Sequence, residues 1–337
     1  MNAVSLYHQD TSQKNIASPH RKVRIPRLMK GEEMLRDTPK IDWFVRDVFP
    51  RLGFGVAYSK PGVGKTHFVL GLLFHLAHGL QILDAVNDPI PVCYVAGEGN
   101  SGVRDRYEAL LTRHGIEASE DENMIFTDGP TELSDPAAIQ GLIDGIKEML
   151  AGREIGVVAI DTLARNFTGD ENDAASMKIL VDGCEEIVKT FKCLVILVHH
   201  AKKGNKTEFR GSGALEGAID VTYAVEKSDQ GIDVVIEKLR FGRDNGRIKC
   251  LLEPVELEPD EDGMEREAPV LSFASFTFED GTSKPTRSLR KTGGGNQDIA
   301  LGILKRGPIS EKEWREKFIL QKNVAPEKSK RAFREAV

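Results

Sequence analysis

Residues 58–66 of the chain read Tyr-Ser-Lys-Pro-Gly-Val-Gly-Lys-Thr, a pattern that can bind phosphate. Small residues let consecutive backbone N–H groups wrap phosphate oxygens, a lysine reaches the β and γ phosphates, and a hydroxyl can hold magnesium. An apolar strand precedes the segment and an apolar helix follows it, as a P-loop requires. The residues predicted to bind a nucleotide are Ser59, Pro61, Gly62, Val63, Gly64, Lys65, Thr66 and His67.

One position departs from the usual P-loop pattern G-x-x-x-x-G-K-[ST]. Ser59 stands where the first glycine is expected, and serine is tolerated there if the backbone is extended rather than left-handed. A chance glycine-rich turn is the alternative interpretation. The flanking strand and helix favour the P-loop, which predicts ATP and Mg²⁺ as cofactors.

Two acidic residues follow predicted strands and could complete such a site. Asp161 ends the apolar run 157–160 and is predicted to hold magnesium together with Thr66, with a helix N-cap as the alternative role. Thr162 follows it, so the common glutamate at that position is missing. Glu98, which follows the strand predicted at 91–96, is therefore predicted to orient the attacking water, and a surface carboxylate in a Gly-Glu-Gly turn is the alternative.

Short β-rich runs alternate with helical stretches, which predicts an α/β fold with a mostly parallel sheet flanked by helices. The predicted strands are 53–58, 91–96, 156–160, 193–198, 220–225 and 234–238, followed by an antiparallel edge strand at 271–278. The predicted helices are 65–79, 101–114, 136–151 and 174–191.

Composition divides the chain into four predicted regions. Residues 1–40 read as a flexible N-terminal arm, 41–280 as the ATPase domain, 281–297 as a linker, and 298–337 as a basic helical module. The module resembles the start of a helix-turn-helix. It is incomplete as a winged helix, which would need further strands. The net charge is −6, yet residues 284–337 hold fourteen Lys or Arg against six acids.

Other classes of protein are disfavoured by composition. The apolar stretches are far shorter than the ~20 residues that span a bilayer, and the first residues lack the features of a secretion signal, so we expect no membrane contact and a cytoplasmic location. The scattered cysteines lack metal-ligand spacing and are predicted to be buried, reduced thiols: Cys93, Cys184, Cys193 and Cys250.

The order of these motifs resembles a known family. A P-loop, a strand followed by Glu98, a strand ending in Asp161, and a strand ending in His199-His200 are similar to the RecA-like ATPases, most closely the plasmid RepA-type hexameric replicative helicases and their phage relatives. The resemblance covers about residues 41–250 and implies a RecA-like twisted sheet, water activation by Glu98 and γ-phosphate sensing by His200. A metal or structural role is the alternative for the histidine pair, although neighbours on a strand point to opposite faces and chelate poorly.

In RecA-like rings, the segments after the Asp161 and His200 strands line the central channel. The first segment, 164–173, offers Arg165 and Phe167 as DNA contacts. In the second, 201–213, Phe209 could stack on a base. Its cations could follow a phosphate backbone and are Lys202, Lys203, Lys206 and Arg210, against the single acid Glu208. A solvated loop without DNA contacts is the alternative.

Lys238 and Arg240 end a predicted strand before a glycine-containing turn. This resembles the Lys-x-Arg of DnaB-type helicases, in which both cations reach the γ phosphate of a neighbouring subunit. Arg243 is a second candidate for this role, and an ion pair within the chain is the alternative.

The resemblance implies an ATP-driven motor that forms a homo-oligomer, a hexamer, and moves along single-stranded DNA as a replicative helicase. The C-terminal module is predicted to contact replication proteins. Two alternatives stay open: a DNA-dependent ATPase that loads or recombines DNA without unwinding it, and a regulatory ATPase that acts on a protein partner.

Overall fold

The computed structural model describes residues 28–38, 40–97, 101–201 and 213–280, and the chain divides into two units, 1–40 and 41–337. The first unit contains helix α1 (Gly31–Asp37). The Glu33 carboxylate accepts a hydrogen bond from the Lys30 N–H (3.1 Å), and the helix buries no residue. From the sequence this segment was predicted to be part of the flexible arm, because hydrophobic periodicity cannot detect a helix that depends on local polar contacts alone.

In the described part of the second unit, nine strands form one sheet and two short strands form another. The strands are β1 (Trp43–Val45), β2 (Phe49–Pro50), β3 (Gly53–Ser59), β4 (Val92–Ala96), β5 (Met124–Phe126), β6 (Val157–Asp161), β7 (Leu194–His200), β8 (Val221–Ser228), β9 (Gly231–Leu239), β10 (Gly246–Leu257) and β11 (Arg266–Phe278). The helices are α2 (Lys65–Ala77), α3 (Ser101–His114), α4 (Pro136–Leu150), α5 (Ala174–Phe191) and α6 (Gly213–Ala218).

The large sheet has the strand order β11-β10-β9-β8-β3-β7-β6-β4-β5. The run from β8 to β5 is parallel, and β9, β10 and β11 extend it with antiparallel pairing. Residues of β3, β4, β6 and β7 are buried on both faces of the sheet, apart from half-buried His200 at the end of β7. One hydrophobic core lies between the sheet and α2 and α3, and a second lies between the opposite face and α4 and α5.

Local sequence explains where the helices of the second core begin. The Asp135 carboxylate accepts from the Ala137 N–H (2.8 Å), and Pro136 occupies the first turn of α4, where a missing N–H costs nothing. The Asp173 carboxylate accepts from the Ser176 N–H (2.7 Å) at the start of α5. Both helices bury one apolar stripe, as the 3.6-residue period predicts.

The predicted fold class is confirmed: a mostly parallel sheet is flanked by helices, in the arrangement expected for a RecA-like fold. β11 is an antiparallel edge strand, and the four cysteines are free and buried, as predicted. Five elements were not predicted from the sequence, namely β1, β2, β5, β10 and α6, and the proposed boundaries between domains stay predictions. No helix within the described ranges is long and apolar enough to cross a membrane.

The hairpin of β10 and β11 packs against both helices of the first core. A Cβ atom at Gly71 of α2 would lie only 3.2 Å from the Leu271 side chain, so the strand and the helix are in close contact there. The Phe273 ring meets the His75 ring of α2 edge-on, with centroids 5.2 Å apart. Arg113 of α3 forms an ion pair with Glu253 of β10 (2.9 Å).

His75 is a buried histidine whose charge state affects folding. Its Nδ1–H donates to the Gln81 carbonyl (2.8 Å), and its ring lies beside those of His114 and Phe273. Burial lowers the pKa of His75 from 6.5 to about 4, so the folded protein keeps the ring neutral over a range in which the unfolded chain is protonated.

Acid should therefore destabilise the fold through His75. As the pH falls from about 6.5 to about 4, the unfolded state binds a proton that the folded state does not, and stability falls by about 3 kcal/mol from this one group. We expect the free energy of unfolding of His75→Gln to fall less steeply over this range than that of the unchanged protein. Urea unfolding at a series of pH values measures both slopes, and equal slopes would show that His75 does not carry the effect.

Candidate nucleotide-binding site

The ends of four parallel strands meet at one edge of the sheet and line a cleft of ≈ 350 Å³. The P-loop follows β3, Gly97 follows β4, Asp161 ends β6 and His200 ends β7. Helix α2 begins within the P-loop, so its first N–H groups and the positive end of its dipole face the cleft. Of the predicted P-loop residues, those that line the cleft are Pro61, Gly62, Gly64, Lys65, Thr66 and His67.

Ser59 and Gly64 show why the backbone of the loop accepts these residue types. Ser59 is the last residue of β3, extended and buried, so the absence of glycine there causes no strain. Gly64 has φ +125°, and a Cβ there would lie 3.0 Å from the Ile232 side chain. Val63 packs partly buried against the first core. The loop therefore needs glycine at position 64 and not at position 59.

The Lys65 ammonium group is buried within the loop itself. Nζ donates to the Ser59 carbonyl (3.3 Å), the Ser59 hydroxyl (3.3 Å) and the Lys60 carbonyl (3.2 Å). Burial lowers the pKa of Lys65, and the nearby Asp161 carboxylate opposes that shift. The cation is thus held at the floor of the cleft by neutral oxygens that phosphate oxygens can replace.

Thr66 and Asp161 form the part of the site that fits a divalent cation. Thr66 Oγ1 donates to Asp161 Oδ2 (2.8 Å), and the Tyr94 hydroxyl donates to the same oxygen (2.8 Å). Burial raises the pKa of Tyr94, so its phenol keeps its proton and remains a donor. A carboxylate and a hydroxyl in contact are the hard oxygen ligands that Mg²⁺ prefers, and both residues fit the predicted role.

Two cleft residues on neighbouring helices are joined by a hydrogen bond. Arg106 of α3 donates from Nε to His67 Nε2 of α2 (3.2 Å), and its guanidinium also donates to the Gly102 carbonyl. Burial, and secondarily the charge of Arg106, lower the pKa of His67 to about 4, so the ring is a neutral acceptor. Arg106 was not predicted as a site residue from the sequence. The sequence feature that could have indicated it is its position, one turn after Gly102, on the helix that follows Glu98.

Gly97 closes the base of the cleft where β4 meets β6. Its N–H donates to the Asp161 carbonyl (2.7 Å), and a Cβ at this position would lie 2.8 Å from that oxygen and 2.7 Å from the Arg165 Cβ. Only glycine permits this approach. Glu98 is next in sequence but lies outside the described residues, so its catalytic role stays a prediction.

The two histidines at the end of β7 differ in environment, as the alternation of a strand predicts. His200 lines the cleft and is paired in register with Ser59, whereas His199 is completely buried. The next residue, Ala201, donates its N–H to the Ser59 carbonyl (3.0 Å). Lys202, Lys203, Lys206 and Arg210, with Glu208 and Phe209, lie outside the described residues.

The segment after Asp161 corrects one prediction. The Phe167 ring is 6% exposed and packs in the second core, where a Cβ at Gly169 would lie 2.4 Å from it, so it is not available to stack on DNA. Fully buried Asn166 anchors the segment: its Oδ1 accepts from the Thr131 N–H (2.7 Å). Arg165 ends a short 3-10 helix and is exposed, and its DNA contact stays a prediction.

Lys238 and Arg240 make contacts within this chain, and for Arg240 they include the ion pair considered as the alternative. Lys238 Nζ donates to the Glu216 carbonyl (2.8 Å), and the Arg240 guanidinium donates to the Gly217 carbonyl (3.1 Å). Arg240 also pairs with Asp220 (2.7 Å). Both cations thus share one target, the last turn of α6, where positive charge is favourable.

These cations lie far from the cleft of their own chain. The second oxygen of Asp220 accepts from the Phe54 N–H (2.9 Å) at the start of β3, whereas the P-loop follows the end of β3. Seven residues of strand separate the two edges of the sheet, roughly 20 Å. Arg243 forms an ion pair with Asp280 and lies over the Phe278 ring (4.1 Å).

Residues 19–206, more than half of the chain, match the AAA domain family. The chain belongs to the AAA domain family. No curated protein matches this AAA domain chain. Among solved structures, it is similar to the KaiC-like protein PH0186 from the hyperthermophilic archaeon Pyrococcus horikoshii OT3, with 14% identity and a TM-score of 0.44, over 62% of this chain and 96% of that protein.

Family membership and the P-loop geometry together identify this AAA domain protein as a nucleotide-dependent ATPase. Proteins of this kind generally use a nucleotide with Mg²⁺, and the pair of Thr66 and Asp161 fits that cation. The predictions of ATP binding and hydrolysis are confirmed at this level.

Tyr94 should act on the magnesium site through Asp161. Removing the hydroxyl in Tyr94→Phe leaves Asp161 with one donor fewer, and loss of such an outer contact typically weakens metal binding about tenfold. We expect the Mg²⁺ concentration for half-maximal ATPase activity to rise by about that factor, with little change at saturating Mg²⁺. Tyr107→Phe is the matched control, because its phenol donates to Asp121 away from the cleft. Equal responses of the two variants would contradict the role of Tyr94.

Proposed function

We propose that the protein is a DNA motor that couples ATP hydrolysis to movement along single-stranded DNA, as a ring-forming replicative helicase of plasmid or phage type. The proposal combines the ATPase site with the basic segment that follows Ala201 in the sequence. Its homo-oligomer is a hexamer, and the basic C-terminal residues are its contact with replication proteins.

The observation that carries the proposal is the hydrogen bond from the Ala201 N–H to the Ser59 carbonyl (3.0 Å). The segment with Lys202, Lys203 and Lys206 begins directly after Ala201, so the residue that precedes it is tied to the P-loop. His200, one residue earlier, lines the cleft. A change at the γ phosphate can therefore reach a segment whose charge suits a phosphate backbone.

At its other end the basic segment leads into α6, whose last carbonyls bind Lys238 and Arg240. These two cations are the proposed contacts to the γ phosphate of a neighbouring subunit. Their distance from the cleft of their own chain supports a role between subunits, because they cannot serve that cleft themselves. In the proposed ring, release from α6 and contact with the neighbour alternate.

The chemistry of the proposed cycle rests on residues of the cleft. Lys65 exchanges the loop oxygens for phosphate oxygens, and Thr66 and Asp161 hold Mg²⁺, which neutralises phosphate charge. Glu98 orients the attacking water, and His200 reports the presence of the γ phosphate. Arg240 of the next subunit stabilises the charge that develops on the transferred group.

Stimulation of ATP hydrolysis by single-stranded DNA tests the proposal. We expect DNA to raise the rate at least tenfold, and Lys202→Ala, Lys203→Ala and Lys206→Ala combined to remove most of this stimulation while basal hydrolysis persists. The matched control neutralises three exposed lysines of α4 and α5, Lys147, Lys178 and Lys189. A rate that ignores DNA would favour the regulatory ATPase. Stimulation without unwinding of a forked duplex would favour the loading or recombination factor.

Mixing two inactive variants tests the shared site. Lys65→Ala removes the cleft lysine, and Arg240→Ala removes the proposed contribution to the neighbour. In a mixed ring some interfaces combine an intact cleft with an intact Arg240, so mixing should restore about a quarter of the activity if subunits assort freely. The ATPase rate of the mixture is the measurement. No recovery, with both variants still assembled, would contradict a contribution between subunits.

A further inference from the structure

Helix α3 presents two different faces to its surroundings. One face forms a wall of the nucleotide cleft through Gly102, Val103 and Arg106. Another carries Asp105 and Glu108, which lie three residues apart and therefore on the same side of the helix. Contacts made by this second face therefore affect the position of α3 and of the cleft wall that it forms.

Arg266 of β11 forms ion pairs with both carboxylates on this second face of α3. Its guanidinium lies 2.5 Å from Asp105 Oδ1 and 2.8 Å from Glu108 Oε2, and it also donates to the Glu258 carbonyl (3.3 Å). The Arg266 side chain is 19% exposed, less than either of its partners. One cation thus joins two carboxylates on successive turns of α3.

The same strand also contacts α2. Leu271 lies against Gly71, and the Phe273 ring meets the His75 ring. Helix α2 carries Lys65, Thr66 and His67 into the cleft, and α3 carries Arg106. β11 is therefore common to both helices that form the cleft, although its own residues lie outside the cleft.

We propose that Arg266 is a positioning residue of the nucleotide site, which fixes α3 through Asp105 and Glu108 so that Arg106 stays in the cleft beside His67. Nucleotide phosphates are the ligands that Arg106 meets there. This inference rests on the nucleotide-binding part of the proposed function and needs neither DNA nor a ring.

A second ion pair on the same helix allows the proposal to be separated from a general effect of charge. Arg113 and Glu253 join the far end of α3 to β10, 2.9 Å apart, and both side chains are about half exposed (53% and 51%). Isolated exposed pairs contribute little, so breaking this one should leave the cleft unchanged. Arg266 differs because it is less exposed and binds two carboxylates beside Arg106.

The experiment measures the Kd of the full chain for a nonhydrolysable ATP analogue. We expect Arg266→Met to raise the Kd about five- to tenfold, and Arg113→Met, the same change at the other pair, to alter it less than about twofold. Arg266→Lys keeps the positive charge but loses the planar guanidinium that binds two carboxylates at once. Its Kd should lie between those of the unchanged protein and Arg266→Met. Equal Kd values for Arg266→Met and the unchanged protein would overturn the proposal.

A double-mutant cycle distinguishes positioning from loss of stability. If Arg266 acts through Arg106, then Arg266→Met should have little further effect on the Kd in an Arg106→Ala background. Fully additive effects would overturn the proposal.

Two further comparisons keep the result decisive. If Arg266→Met does not fold, the double variant Asp105→Asn and Glu108→Gln removes the partner charges with almost no change of shape, and the same rise in Kd is expected. Lys65→Ala should not bind the nucleotide and is the negative control. If the unchanged protein also binds no nucleotide, the proposed function itself is refuted. Normal binding with no effect at Arg266 refutes only the positioning role.

Discussion

The hydrogen bond between Thr66 and Asp161, 2.8 Å long, joins two residues 95 positions apart, and the site depends on it. It forms only in one register of the sheet, in which Ser59 pairs with His200, Val198 with Asp161, and Asp161 with Ala96. A slip of one residue would turn the Asp161 side chain to the other face. Because β3, β6 and β7 are buried on both sides, a slip would also disrupt the close packing of their side chains on each face.

The same register buries two charged side chains in the cleft, and groups of the cleft itself make hydrogen bonds with both. Lys65 and Asp161 are both buried, 6% exposed each, and the lysine is surrounded by loop oxygens while the carboxylate accepts from Thr66 and Tyr94. A buried ion without partners would cost several kcal/mol. Phosphate oxygens can replace the loop oxygens around Lys65, and a cation can replace the Thr66 proton at Asp161, while Tyr94 remains a donor to that carboxylate, so the site is organised in advance.

The sequence predicted those parts of the site that depend on short segments. Lys65, Thr66 and Asp161 could be recognised because a loop pattern and an apolar strand specify them locally, and both structural conditions, an extended Ser59 and cleft-facing side chains, are met. Tyr94 and Arg106 could not be recognised, because their roles arise from strand pairing and from the packing of one helix against another. Phe167 was wrongly predicted because a polar segment can still bury one aromatic ring, and nothing in its neighbours reveals that.

Lys238 and Arg240 illustrate that residues of a recognisable motif can make contacts within their own chain. Both lie at the edge of the sheet opposite the P-loop, roughly 20 Å away along β3, a distance no side chain spans. Within this chain they bind carbonyls that end α6, and Arg240 also binds Asp220. In the proposed ring, a contact of these cations with another subunit must be stronger than their contacts within the chain. In that proposed ring, the competition would make the α6 contacts sensitive to the nucleotide bound by the neighbouring subunit, and α6 is the helix that follows the basic segment in sequence.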